Sequence, residues 1–432
     1  MQLKEVYIVS ALRTPQAKAG LDMKDIPVPF LAAPLIRKIM DMYPTLTPDC
    51  VDEVIFGNTG APPKYPNIGR VIALEAGLDQ KTSGYTVHRN CASGLEALSQ
   101  AFLKVATEQA DVIFAGGVES MSQMPLIFSK ELTEMFVKLM KAKTLAEKIK
   151  VLTKLRLPYL SPVIAIEQGL TDPFCGLNMG QTAEVLSREF NLTRLMQDEY
   201  ANNSHHKAIS ALKEGRWKDE ILPIYVGPNS DKILEVDIGP REDSTVEGLG
   251  KMRPYFDKKS GTVTVGNSCP ITDAGAAVLI VSQAALKKYN LTPMARIVNY
   301  HFHGLEPERM GLGPALAMHG VLKKTKLSMD KMDLVEINEA FAAQVMAVLK
   351  VAQSKELSSK WKMDNPIGEI PLEKLNVNGG GIALGHPVGQ SGARIVTTLA
   401  HELKRRKAGY GIASLCIGGG QGGAMIIENL MK

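Results

Sequence analysis

A succession of short strands and helices that occurs twice along the 432-residue chain limits its fold more than any single motif does. Val6 to Ala11 is a short apolar run of the kind buried in a sheet, Phe30 to Met42 reads as a helix, and Val51 to Gly57 as the next strand. Asn67 to Ala76 reads as a helix closing at Gly77, and Asp111 to Gly117 as another buried strand. The pattern returns after Met294. Arg296 to Tyr300 parallels the first strand, Asp333 to Asn338 parallels Asp52 to Gly57, and Ile412 to Cys416 parallels the strand at Asp111. Alternation of this kind predicts an α/β fold in two similar halves, with a mostly parallel sheet and helices on its faces. Between the halves, Ser120 to Gly250 is richer in lysine and proline and lacks the alternation.

The stretch Val87-His88-Arg89-Asn90-Cys91-Ala92-Ser93-Gly94 ends an extended run and opens an amphipathic helix carrying Leu95, Leu98, Phe102 and Val105. A cysteine at the mouth of a helix meets unpaired N–H groups and the positive end of the macrodipole, which favour the nucleophilic thiolate. The competing reading is a buried small hydrophobe. Two further stretches bear on the choice. Asn378 to Arg394 places His386 in a glycine-rich turn, and Ser414 to Gly422 places Cys416 before another glycine run.

With Asn338-Glu339-Ala340-Phe341-Ala342 and the opening Ile8 to Pro15, these motifs in this order resemble the thiolase family over nearly the whole chain. The resemblance implies a thiolase fold, with duplicated layered α-β-α-β-α halves and an inserted loop domain over a coenzyme A cleft. The expected division is 1–121 plus 251–287 for the first half, 122–250 for the loop domain, entered at Met179 to Glu184, and 288–432 for the second half. Cys91 would be the nucleophile that becomes acylated, His386 its base, and Cys416 the acid that protonates the departing acetyl-CoA carbanion. One oxyanion would be held by His386 and a water on Asn338, the other by the N–H groups of Cys91 and Gly418, where glycine lets the backbone approach. Asn338 also reads as a strand-end turn former, and His386 as a structural turn histidine. His88 competes as base, but it lies in the strand before Cys91 and matches no family motif. His205 and His206 read as exposed helix residues, and His301, His303 and His319 as candidates for an acyl pocket.

For coenzyme A, a substrate rather than a resident cofactor, Arg241 matches an adenine-stacking arginine of some thiolases. The strand Gly261 to Pro270 matches the one whose serine bonds pantetheine; Cys269 stands at that position and Ser268 beside it. The implied reaction is cleavage of a 3-ketoacyl-CoA to acetyl-CoA and a shortened acyl-CoA, with acetoacetyl-CoA condensation as the alternative. β-Ketoacyl synthase and hydroxymethylglutaryl-CoA synthase types lack the second cysteine, and a lipid carrier of the same fold would have lost Cys91 or His386.

From Ile127 to Cys175 the chain is longer than the simplest thiolases and strongly basic. Lys130 to Arg156 holds eight basic residues against three acidic ones, with Leu132, Met135, Phe136, Leu139 and Met140 on one helical face and Leu145, Ile149, Leu152 and Leu155 continuing it. Such a segment can lie on an anionic lipid surface, dock to a partner, or pack on its own domain. It resembles the insertion in thiolase subunits of multienzyme fatty-acid oxidation complexes, whose partner is a hydratase–dehydrogenase subunit.

Composition agrees with a globular enzyme. Apolar residues make up 45% and charged residues 22% of the chain, so global disorder is excluded. A net charge of +5 is too mild for a nucleic-acid binder but suits a polyanionic ligand. Five widely spaced cysteines, with no CxxC, suggest a reducing compartment and no zinc site. No secretory or transit pattern is evident at the start, and Ile412 to Ile427 is too short and glycine-rich to span a bilayer. The expectation is a cytoplasmic homodimer at least, with membrane contact through 127–175 left open.

Overall fold

Strands that are apolar on both faces must be covered on both sides, and this requirement shapes the molecule. The computed structural model describes residues 3–227 and 230–431. Its first half comprises β1 (Val6–Arg13), α1 (Ala33–Met42), β2 (Glu53–Gly57), α2 (Ile68–Glu75), β3 (Ser83–Val87), α3 (Ser93–Ala106) and β4 (Val112–Ser120). The chain then leaves the sheet through α4 (Lys130–Lys141), α5 (Leu145–Leu152), α6 (Met179–Glu189) and α7 (Arg194–Lys213), and returns as β5 (Thr272–Ser282). The second half comprises β6 (Ala295–Gly304), α8 (Gly313–Thr325), β7 (Met332–Ile337), α9 (Ala342–Gln353), α10 (Val388–Arg406), β8 (Tyr410–Ile417) and β9 (Gln421–Asn429).

These strands form one sheet in the order β7-β8-β9-β6-β1-β5-β4-β2-β3. In the first half β4 runs parallel to β2 and antiparallel to β5, which is antiparallel to β1. In the second half β8 runs parallel to β7 and antiparallel to β9, which is antiparallel to β6. Even the edge is repeated: β3 lies parallel to β2, and Leu375 bridges Val335 of β7 in parallel. The halves join where β1 meets β6 antiparallel, Val6 opposite Ile297. The duplication is present, but the sheet is mixed rather than mostly parallel. The last strand of each half follows its neighbour through a hairpin or a long excursion instead of a crossover helix, and so runs antiparallel.

Alternate residues point to different layers. Val54 and Phe56 pack under Ile36, Ile39 and Ile68 of the first outer helices, whereas Ile55 faces a central layer. In the second half Val335, Ile337 and Ile412 pack against Val345 and Val348, whereas Ala413 and Leu415 face that same central layer. The layer consists of α3 and α10, through Leu95, Leu98 and Phe102 of one and Ile395, Leu399 and Leu403 of the other. Helix, sheet, helix, sheet and helix therefore succeed one another. The two central helices touch backbone to backbone: a Cβ on Gly94 would stand 2.7 Å from Ala393 N, and one on Gly392 would stand 2.4 Å from Leu95 N.

The excursion is tied to the first half by a buried Arg13, whose Nε donates to Glu220 at 2.7 Å and whose Nη1 donates to Asp237 at 2.8 Å. α6 and α7 begin at Asn178 and Thr193, each of which caps its helix. α4 and α5 are also capped, by Ser129 and by a Thr144–Glu147 capping box. Yet of the residues on these two helices only Leu132 and Met135 are buried. Met140 is 86% exposed and Leu145 is 74% exposed. No helix among the described residues is long and apolar enough to cross a membrane.

Candidate active site

Cys91 and His386 each stand two residues before a central helix, α3 and α10 respectively. The contact of Gly94 with the first turn of α10, where a Cβ would lie 3.0 Å from Gly389 O, brings those two helix mouths together. The loop carrying Cys91 is held by Ser93, whose Oγ accepts from Arg89 N at 2.9 Å and donates to Asn90 O at 2.7 Å. Burial pushes the Cys91 thiol upward, and N–H groups of Gly418 and of Cys91 itself oppose that. The helix mouth therefore does not leave a resting thiolate, contrary to the expectation from position alone. A base has to take the proton as the sulfur attacks.

His386 has the chemistry for that. It is buried and held neutral, its pKa pushed down to about 4 by burial and by the Arg394 charge. Ser391, one turn into α10, lies 2.6 Å from Nδ1, and its hydroxyl donates to Pro387 O at 3.2 Å. With that hydroxyl hydrogen engaged, Nδ1–H donates to Ser391 Oγ, which leaves a lone pair on Nε2. Nε2 is buried without a partner among the described residues.

Asn338 is fully buried at the end of β7, its N–H donated to Ser414 O at 2.9 Å. Arg394 Nη2 donates to its Oδ1 at 3.4 Å, and the Asn338 Nδ2 stands 3.5 Å from His386 Nδ1, whose hydrogen is engaged by Ser391. Arg394 in turn pairs with Glu336 at 3.5 Å, and Glu336, pushed up to about 8 by burial, lies behind the pair. Cys416, the penultimate residue of β8, is buried. Burial, and then the nearness of the Cys91 and Cys269 thiols, holds its thiol well above the ordinary range. It is accordingly a protonated thiol at rest, suited to giving a proton. Gly418 follows where β8 turns into β9, and a Cβ there would come within 3.3 Å of Met179 Sδ.

The two coenzyme A candidates differ in exposure. Ser268 is buried and donates its hydroxyl to Thr264 O at 2.6 Å, so that donor is spent inside the chain. Cys269, half-buried, is the member of the pair beside Cys91 and Cys416. Its own thiol is pushed up to about 12 by burial and by Cys91. Arg241 is exposed, and its N–H donates to His205 Nδ1 at 3.3 Å. His205 is buried, correcting the expectation of an exposed residue, whereas His206 is exposed. An open cleft of about 480 Å³ lies there, lined by His206, Ile209, Ser210, Lys213, Glu214 and Glu242. His301 packs against Gly320 of α8. His88 is exposed and its Nδ1 faces Asn90 N at 3.4 Å. Sequence reasoning assigned no role to Ser391, Arg394 or Asn90, although Ser391 and Arg394 lie in the His386 motif and Asn90 in the Cys91 motif. No group of three His, Cys, Asp or Glu among the described residues could hold a metal ion.

The profile of the thiolase N-terminal domain matches residues 6–284, and that of the thiolase C-terminal domain matches residues 291–429. The chain belongs to the thiolase family. Its relatives include a 3-ketoacyl-CoA thiolase of Shewanella halifaxensis, 35% identical, with 98% of this chain and 97% of the relative covered. An acetyl-CoA acetyltransferase of Syntrophomonas wolfei is 37% identical, with 99% and 100% covered. Among solved structures, the Bacillus anthracis acetyl-CoA acetyltransferase superposes with a TM-score of 0.87 at 36% identity, covering 99% of this chain and 100% of the other. The human mitochondrial 3-ketoacyl-CoA thiolase in complex with CoA superposes with a TM-score of 0.84 at 36% identity, covering 99% of each chain. This thiolase is accordingly an acyltransferase.

Proposed function

We propose that this thiolase cleaves 3-ketoacyl-CoA with coenzyme A, giving acetyl-CoA and an acyl-CoA shortened by two carbons. The observation that carries the reading is a neutral His386 with a free Nε2 at the same helix crossing as Cys91, together with a second, protonated thiol at Cys416. Cys91 Sγ attacks the C3 carbonyl while His386 Nε2 takes its proton, and the C3 oxyanion meets the N–H groups of Cys91 and Gly418. The C2–C3 bond then breaks. Its electrons pass to the acetyl-CoA enolate, whose oxygen is held by the His386 N–H and a water on Asn338. Cys416 protonates C2, and its thiolate next takes the proton of incoming coenzyme A, whose sulfur attacks the acyl-Cys91 thioester; Cys91 leaves as a thiolate and recovers its proton from His386.

The second reading is acetoacetyl-CoA formation, which uses the same groups in reverse and is favoured by the acetyltransferase relatives. The insertion supports the degradative reading. Phe136, Met140, Leu145, Ile149 and Leu152 are exposed on α4 and α5 amid lysines, a surface that fits an anionic lipid layer or a partner subunit. We place the enzyme in fatty-acid β-oxidation, in the cytoplasm and peripheral to the membrane, as a homodimer open to a hydratase–dehydrogenase partner. Coenzyme A would be substrate, its adenine near Arg241.

Thiolytic rate measured from acetoacetyl-CoA to 3-ketopalmitoyl-CoA, with Cys91→Ala as control, tests the reading. Rates that rise with chain length support it. Activity confined to acetoacetyl-CoA moves the assignment to the acetyltransferase, and activity retained by Cys91→Ala removes the nucleophile.

A further inference from the structure

The residue before the nucleophile has no part in the steps above. Asn90 has a φ of +45°, a left-handed conformation that asparagine tolerates better than most residues with a side chain. Its side chain crosses from the first half of the molecule to the second, where Nδ2 donates to the Gly418 carbonyl at 2.7 Å. Gly418 is followed by Gly419 and Gly420 at φ of +87° and +76°, so the turn has three consecutive residues with no side chain to brace it. Arg89 also spans the halves, through Gln421 at 3.2 Å and over the Phe302 ring at 4.2 Å. Those partners lie in β9 and β6, beyond the turn. Of these contacts, only that of Asn90 reaches Gly418.

We infer that Asn90 is a positioning residue, whose amide holds the Gly418 carbonyl and so keeps the Gly418 N–H against the sulfur, and later the oxyanion, of Cys91. The backbone of Asn90 does not depend on its amide. Its carbonyl accepts from Ser93 N at 3.0 Å and the flanking turn closes from Ala92 N to Arg89 O at 3.0 Å. The side chain is therefore free to serve the partner half, and a glycine here keeps the left-handed turn while removing the donor. The Gly418 N–H is also one of the groups that favour the charged form of Cys91, so a loosened turn weakens both the thiolate and the oxyanion.

The inference rests on Cys91 being the acylated nucleophile. Wild type, Asn90→Gly and Asn90→Asp are compared by thiolysis kinetics, by the pH profile of iodoacetamide alkylation at Cys91 followed by mass spectrometry, and by thermal melting. Asn90→Asp keeps the shape and turns an acceptor on the carbonyl. Displacing an oxyanion donor is expected to lower kcat roughly 30-fold in Asn90→Gly, with KM within about threefold of wild type. The alkylation midpoint should move to higher pH, and further in Asn90→Asp, while the melting temperature stays near that of wild type. An unchanged kcat and alkylation midpoint in Asn90→Gly overturns the inference. So does a loss of kcat accompanied by a lower melting temperature and an unchanged alkylation profile. If Asn90→Gly does not fold, Asn90→Asp is judged by the same two readouts. Thiolysis retained in Cys91→Ala overturns the nucleophile and this inference together, whereas a normal wild type with an unaffected Asn90→Gly overturns the inference alone.

Discussion

At the scale of single residues, the candidate site is made of groups that burial holds neutral. His386 shows the consequence for stability. Its pKa is about 4 in the folded protein, against about 6.5 in an unfolded chain. Between those values the unfolded chain holds a proton that the folded one does not, so stability rises with pH across that window. It is fully present above pH ~6.5 and is lost as pH falls toward the folded value, a change of about 3 kcal/mol for this residue. Urea unfolding of wild type and His386→Gln across that range should show wild type losing more stability than the variant on acidification. A difference that does not vary with pH would contradict the neutral buried imidazole. The same scale holds the least legible part of the site. Cys91, His386 and Cys416 could be picked out as candidates from their motifs. That Ser268 spends its hydroxyl on Thr264 while Cys269 faces the thiols depends on side-chain directions, which neighbouring residues in a sequence do not reveal.

At the scale of elements, the crossing of α3 and α10 sets the distance between Cys91 and His386. Gly94 and Gly392 let the two backbones meet, and there is no room for a Cβ at either position. Gly392→Ala is expected to cost about 1–3 kcal/mol as an overpacked crossing. It should lower kcat more than the stability loss alone explains, because Cys91 and His386 ride on the displaced helices. Denaturant midpoints and kinetics on the same samples check this, and a stable variant with full kcat would show that the crossing has slack. The helix beginning at Ser93 was legible from Leu95, Leu98, Phe102 and Val105 at helical spacing. Its partner was legible only as a second helix, since nothing in either segment says that Gly94 rests on Gly389 and Ala393.

At the scale of the whole molecule, the feature left over is the basic apolar surface of α4 and α5. Each lysine near an anionic surface contributes about 1 kcal/mol, and the exposed Met140, Leu145 and Ile149 supply apolar area beside them. Co-sedimentation with vesicles rich in phosphatidylglycerol should retain wild type at low salt and release it as salt screens the lysines. Replacing Met140, Leu145 and Ile149 by serine should abolish retention and leave thiolysis of a soluble substrate unchanged. Equal retention by uncharged vesicles, or none by either, would leave a partner protein as the occupant of that face. The amphipathic pattern was plain in the sequence, but exposure was not, because the same spacing serves a helix packed on its own domain.

The repeat of strand and helix, the helix-mouth cysteine, the turn histidine and the second thiol all follow from residue order, because each is a local pattern. Periodicity selects the element, glycines permit the turns, and the reactive side chains sit at element ends. The antiparallel join of β1 with β6, the burial of His205 and the reach of Asn90 to Gly418 were decided only by the folded chain. Each of these is a contact between segments far apart in sequence. Strand direction depends on the path of a connection, and burial depends on what packs on top, and neither is encoded in the spacing of neighbouring residues.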